Sequence, residues 1–342
     1  MIDERWEHGS EFHWIDPGPP TDDEDRAWLL AREGVTHASG RAALRALVEH
    51  GGWPRVWLPS YVCGEVADAV GDRLRWYDDD PTRPEPAAIE AAAGDALVRI
   101  DYFGLRGPSS AAPLRERGVI VIDDHTHDPC GPWARRSDAD YCLVSLRKSL
   151  PLPDGALTWS ALGHPLPPAL PASEAASTKL PAMLLKSLYL AGHPVAKPSF
   201  RALAIAGERQ LGELGVVGMS SVSWELFSCL AIARLRARRR ENFAAFSQAL
   251  GDRVELLRPS GSDNTPFSCV LVLPDAEARE RMRAKLIDAR IYPAVLWPLD
   301  FGSAHRDRFP TSCSFAERML ALHCDARYQV DDMRRVAAVV VG

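Results

Sequence analysis

Four short apolar runs, Val56-Trp57-Leu58, Leu97-Val98-Arg99-Ile100, Val119-Ile120-Val121-Ile122 and Tyr141-Cys142-Leu143-Val144, punctuate the first half of the chain, with helical stretches between them. Runs of this length suit strands buried on both faces, and strands alternating with helices imply a mainly parallel sheet covered on both sides. Upstream of the first run, after a polar, Pro-rich entry over 16–20, Ser39 can cap a helix. Its Ala43, Leu44, Leu47 and Val48 share one face, and Gly51-Gly52 end it. A Pro-rich break over 163–168 opens a mostly helical middle section. A long helical pattern then runs from Ser221 to about Leu250. Strand-like Ser268–Leu273, a helix, the apolar Ile291–Trp297 and a final helix predict a smaller α+β domain. The pattern divides the chain into an N-terminal segment (1–30), a large α/β domain (31–220) and a linking helix with a small domain (221–342). In sheets of this kind ligands bind beyond the carboxyl ends of the strands, where the chain places its most unusual polar residues.

Composition narrows the function classes. At 342 residues, 46% hydrophobic and 25% charged, the chain can bury a large core. A formal charge of −6 gives no electrostatic reason to expect nucleic acid or an anionic membrane as partner. The basic stretch Arg234–Arg240 lies within the long helical pattern and reads as a solvated or acid-paired face. Seven cysteines, odd in number and never spaced Cys-x-x-Cys, suit reduced thiols. The charged start, Met1–His8, lacks a signal-peptide core and no apolar run reaches membrane-spanning length, so the expectation is a cytoplasmic protein.

Lysine is rare here. Five lysines stand against thirty-five arginines, and Lys148 follows the last of the four apolar runs, in Ser145-Leu146-Arg147-Lys148. Unlike a guanidinium, an amine can lose its proton and attack a carbonyl when desolvated or crowded by other cations. The competing account is a strand-end lysine left over by a preference for arginine. In Val119-Ile120-Val121-Ile122-Asp123-Asp124-His125-Thr126-His127, two carboxylates end a strand that should be buried, where an ionised pair is costly without positive partners. A protonated pyridine nitrogen would serve as one; a helix-capping Asp beside a solvated neighbour is the alternative. Ser39-Gly40-Arg41 opens a helix whose free amides and dipole favour a phosphate, although a plain Ser cap is the commoner arrangement.

With these three pieces in order, the chain resembles the fold-type-I pyridoxal phosphate enzymes, specifically the DegT-type sugar aminotransferase family. The family's Ser-Gly-Thr-x-Ala-Leu phosphate loop corresponds to Ser39–Leu44, with Arg41 in place of Thr. Its Pro-x-x-Thr-Phe segment corresponds to Pro59-Ser60-Tyr61-Val62-Cys63, so Cys63 stands where an aromatic ring stacks on the cofactor, and Tyr61 is the alternative ring. The acidic strand end makes Asp124 the partner of the ring nitrogen and puts His127 near the ring hydroxyl. Ser145 would contact phosphate and Lys148 would form the Schiff base. By the same resemblance Arg327 is the candidate for the substrate carboxylate, against a structural Arg held by Asp325. Tyr102 is a candidate pocket residue, against core packing. The resemblance implies a homodimer with active sites near the subunit interface. The family's Asn from the neighbouring subunit has no clear match over 217–221, where a Ser is the substitute.

The implied reaction is transamination between an amino acid donor and a keto-sugar or other small carbonyl acceptor, in polysaccharide or specialised-metabolite biosynthesis. Elimination, substitution or decarboxylation of an amino acid is the alternative, since one electron sink serves them all. Three rivals come from the residues themselves. Ser145-x-x-Lys148 with Ser262-Asp263-Asn264 mimics acyl-serine hydrolases, but no Lys-Thr-Gly follows, and Ser145 ends a strand instead of opening a helix. His125, His127 and Cys130 could hold zinc, but a fourth ligand cannot be named. A non-catalytic protein on the same fold would have no use for the Lys148 amine.

Overall fold

The structure, a computed structural model, describes residues 5–17, 22–86 and 89–342. Part of the expected Pro-rich entry, residues 18–20, lies outside the described residues, as do residues 1–4 of the charged start. After the two-residue strand β1 (His8–Gly9), seven strands form the large sheet. They are β2 (Val35–His37), β3 (Val56–Pro59), β4 (Leu74–Tyr77), β5 (Ala96–Ile100), β6 (Ile120–Asp124), β7 (Tyr141–Val144) and β8 (Ala156–Trp159). Their order is β2-β8-β7-β6-β5-β3-β4, and β8 alone runs against the rest. The α/β architecture with a mainly parallel seven-stranded sheet is therefore present. Every residue of β3, β5, β7 and β8 is buried, as continuous apolar runs demand of strands covered on both faces.

The expected helix forms over Gly40–Gly51, capped by the Ser39 hydroxyl, which accepts from Ala42 N at 3.2 Å. Gly52 ends it at φ 62°, a left-handed conformation that suits glycine. The long pattern from Ser221 differs from expectation: it is two helices, Ser221–Cys229 and Ile232–Leu250, parted at extended Leu230. Tertiary bonds hold the break, since Arg26 donates to the Leu230 carbonyl (2.8 Å) and Asp23 accepts from Ala233 N (2.9 Å). Strand character over Ile291–Trp297 is limited to β11 (Ile291–Tyr292), which pairs with β1. Ala294 then makes a single bridge to Ala321.

The small sheet comprises β9 (Glu255–Leu256), β10 (Ser268–Val272) and β12 (Met319–His323), all antiparallel. Phe246, Leu271, Leu322, Met333 and Val336 fill the core between it and helices Ile232–Leu250 and Val330–Val341. Val270, Met319 and Ala321 instead join Tyr61, Tyr102, Phe103 and Phe315 in a core that continues under the large sheet, so one apolar mass spans both sheets.

Candidate active site

The carboxyl ends of three adjacent strands, β5, β6 and β7, deliver Asp101, Asp124 and Ser145 side by side. The two carboxylates of β6 meet different fates. Asp123 is bound by Arg99, its register partner on β5, through two bonds (2.8 and 3.0 Å), and also accepts from Trp133 Nε1 (3.1 Å) and Ser137 Oγ (2.7 Å). The positive partner expected at this strand end is therefore Arg99, and it serves Asp123 alone. Asp124 turns into a cavity and has no cationic partner among the described residues. Burial pushes its carboxyl up to about 6, although Thr126 N donates to it at 2.9 Å.

The cavity is lined by Ser39, Gly40, Arg41, Cys63, Asp124, Thr126, His127, Ser145, Arg147 and Lys148, with Phe267, Leu296 and Trp297 from the far side. Eight of the eleven residues named from sequence thus take their places around one space. The start of the Ser39 helix presses on Ser145: a Cβ on Gly40 would lie 2.9 Å from Ser145 Cβ, so glycine is required for this approach. Ser145 N in turn donates to Thr126 Oγ1 (2.9 Å), locking β6 and β7 together at the cavity floor. Arg41, at the position of the family's Thr, pairs with Glu65 at 3.2 Å.

Lys148 lines this cavity and a second one beside it, about 380 Å³, which is how it remains accessible while surrounded by protein. Its Nζ has no hydrogen-bond partner among the described residues. The neighbouring Arg147 guanidinium, and then burial, lower its pKa below the usual lysine value. Arg147 is fixed by a two-point bond to Glu208 (2.9 and 3.0 Å), which also takes Lys179 Nζ. His127 is buried and held neutral, its pKa pushed down to about 3 by desolvation. Its Nδ1 accepts from Phe103 N at 2.9 Å, so the proton sits on Nε2. Phe103 reaches this position in a left-handed conformation (φ 57°), a strain that non-glycine residues rarely carry and that tends to occur at functional sites. His127 also stacks near Trp297 (6.0 Å, 19°) and Phe267 (4.5 Å, 32°).

Three sequence expectations are corrected. Tyr61 is fully buried among Tyr102, Trp297 and Phe315, outside the cavity lining, and cannot stack on a ligand there. Tyr102 is core as well: its hydroxyl donates to the Tyr61 carbonyl (2.6 Å), and Arg106 lies over its ring. Arg327 touches the second cavity, but its side chain is 1% exposed, forked on Asp325 (2.8 and 2.8 Å) and bonded to the carbonyls of Ser10 and Glu11. It is a structural arginine, because its donors are already engaged. Ser220, in the 217–221 stretch where a Ser is the expected substitute for the family's Asn, is buried with its hydroxyl on Asp154 (2.6 Å). The zinc rival fails on geometry, since the His125 ring lies between Trp133 and Trp159 while the His127 ring faces Phe103, Phe267 and Trp297. The sequence motifs assign no role to Phe267, Trp297, Thr126 and Arg147, which also line the cavity. Phe267 directly precedes β10 and Trp297 follows β11, and no local motif ties them to Lys148.

This fold and site define a mainly parallel α/β protein with a lysine and a carboxylate facing one cavity at its strand ends, and solved structures share the fold across nearly the whole chain. A DegT DnrJ EryC1 StrS aminotransferase from Brucella abortus superposes with a TM-score of 0.62 at 16% identity, covering 94% of this chain and 91% of that one. The aminotransferase TlmJ from Streptoalloteichus hindustanus gives 0.62 at 18%, with 96% and 98% covered. Spr1654 from Streptococcus pneumoniae, described as a sugar aminotransferase and solved in its PLP form, gives 0.63 at 13%, with 98% and 100% covered. No family model and no curated protein matches the chain. Likeness at this identity establishes the fold.

Proposed function

We propose that the chain is a pyridoxal phosphate-dependent aminotransferase that moves an amino group from an amino acid donor to a keto-sugar or another small carbonyl acceptor. The observation that carries the reading is the meeting of Lys148, Asp124, Ser145 and the Ser39 helix start around one cavity. Pyridoxal phosphate fits these residues on a specific ground. Asp124 is a carboxylate pushed into a cavity with no cation beside it, and a protonated ring nitrogen supplies one. The phosphate would take the free amides after Ser39 and the Ser145 hydroxyl, whose close approach needs Gly40. Spr1654 in its PLP form, on the same fold, supports the same cofactor.

When bound, the cofactor supplies an aldehyde for covalent attachment and an electron-accepting ring. The residues supply the rest. Lys148, with its amine pKa lowered, holds the attachment point and afterwards takes and returns a proton at the substrate carbon. Asp124 would keep a proton on the ring nitrogen, and His127, whose Nδ1 is occupied by Phe103 N, would offer its Nε2–H to the ring hydroxyl. Phe267, Leu296 and Trp297 give the cavity an apolar wall that keeps water from the reacting atoms. Neighbours described as sugar aminotransferases support a sugar-like acceptor, and hence a role in polysaccharide or specialised-metabolite biosynthesis. A homodimer belongs to the same proposal, as does a cytoplasmic location. Among the described residues no helix is long and apolar enough to cross a membrane.

The test is spectroscopic. Purified protein given pyridoxal phosphate should develop a near-visible absorbance band that persists through gel filtration and is absent in Lys148→Ala. Addition of a competent amino acid donor should convert it to the absorbance of the amine form. A wild-type protein with no band removes the proposal. A band without conversion by any amino acid, alongside another product, would move the reaction to elimination, substitution or decarboxylation.

A further inference from the structure

The second cavity beside Lys148 contains an arginine whose donors are not used up. Arg239, on the Ile232–Leu250 helix, is 5% exposed, and the one hydrogen bond it makes among the described residues runs from Nη2 to the Ser149 carbonyl (2.9 Å), the residue after Lys148. Its Nε is buried with no partner, and its guanidinium lies 5.6 Å from the centroid of Phe267, a residue that lines both cavities. A desolvated donor left open is costly, so something that accepts hydrogen bonds is expected to face it.

The charge pattern says what. Near Arg239 three other guanidiniums take up three carboxylates: Asp25 holds Arg135 and Arg236, Asp128 holds Arg236 again, and Asp325 is forked by Arg327. Arg239 feels Asp128 and Asp325 but pairs with neither. Of the other carboxylates lining the cavity, Glu208 is taken by Arg147 and Lys179, and Glu11 is exposed. One negative charge is missing, in a cavity whose wall is shared with the Lys148 amine.

We propose that Arg239 is the anchor for the substrate carboxylate: the second cavity is the binding site of a small organic acid, which Arg239 orients so that its carbon end reaches Lys148. The role expected of Arg327 thus falls to a residue on the linking helix. Planar donors over an aromatic ring suit a carboxylate, and a site built to pair with one rejects the neutral amide. The assignment rests on the aminotransferase reading for the identity of the acid, but binding itself does not require the cofactor.

Isothermal titration of the cofactor-free protein with 4-methylpentanoate, and with 4-methylpentanamide as its neutral isostere, tests this directly. The wild type should bind the acid at least tenfold more tightly than the amide. Arg239→Gln, which can keep the bond to Ser149, should weaken the acid about 10- to 100-fold and leave the amide unchanged. Arg239→Lys should recover part of the loss. In the loaded enzyme the same variants should raise KM for the amino acid donor while Lys148 still gives its absorbance band. Acid binding that survives in folded Arg239→Gln, or a wild type that does not prefer the acid, overturns the proposal. Failure of the absorbance band with acid binding intact would instead sink the cofactor reading and leave the anchor standing.

Discussion

Asp123 and Asp124 are chemically identical neighbours, and their surroundings alone separate them. Arg99 forks onto Asp123, whereas Asp124 faces the cavity with its carboxyl raised to about 6 from the usual 3.8. Between those two values the folded chain keeps a proton that the unfolded chain releases. Stability from this group is therefore fully present below pH 4 and is lost as pH rises through 6, by up to about 3 kcal/mol. Asp124→Asn has no charge to bury. Without cofactor it should be about 1–3 kcal/mol more stable than wild type at pH 7, with the advantage gone at pH 4. Urea unfolding at several pH values reads this out, and parallel curves for the two proteins would show that Asp124 burial costs nothing. Cofactor should reverse the order at pH 7, since the variant loses the ring-nitrogen partner.

At the scale of the element, the helix after Ser39 is where local and tertiary requirements coincide. The cap and the apolar face are legible in sequence because both are local, and the helix forms where they place it. That its first residue must be glycine is a tertiary fact, set by Ser145 from a strand end far along the chain. Gly40→Ala should push these two elements apart. A cost of about 1–3 kcal/mol in stability is expected, as for overpacking elsewhere, together with a loss of pyridoxal phosphate affinity of at least tenfold. Unchanged cofactor affinity by fluorescence titration would mean that the Ser39 helix start does not hold the phosphate. The elements that escaped notice share a cause. β2 has three residues, β4 (Leu74-Arg75-Trp76-Tyr77) is an edge strand with exposed Arg75, and β8 follows a proline- and glycine-containing stretch. Short or edge strands need no long apolar run. The helix break at Leu230 is equally silent locally, because Arg26 and Asp23 impose it from outside.

For the whole molecule, the N-terminal segment is tied to the far end of the chain. β1 pairs with β11, Tyr328 Oη accepts from Gly9 N (2.7 Å), and Arg327 holds the Ser10 and Glu11 carbonyls over the second cavity. The helices Ala176–Leu190 and Lys197–Glu213 pack on each other and leave Leu184, Leu188 and the 65% exposed Ile205 facing outward, as do Val222 and Trp224 on the next helix. Exposed apolar side chains of this size favour burial against a partner, which fits the proposed homodimer. Sedimentation should give twice the chain mass, and Ile205→Asp with Trp224→Asp should shift it toward monomer without unfolding it. A wild type that sediments as a monomer at micromolar concentration would refute the dimer.

Sequence by itself determined what depends on neighbours along the chain: the buried parallel strands, the capped helix, and the lysine, acid and serine that belong at strand ends. Periodicity and capping are local, so they can be read without knowing the fold. Tertiary structure decided which of those polar groups face a common space and which are spent holding the molecule together. Lys148 and Asp124 line the cavity, Tyr61 and Tyr102 are core, and Arg327 is bound by Asp325 while Arg239 is left with donors to offer. Two arginines look alike in a string of letters, because whether a guanidinium is satisfied depends on carboxylates that arrive from elsewhere in the chain.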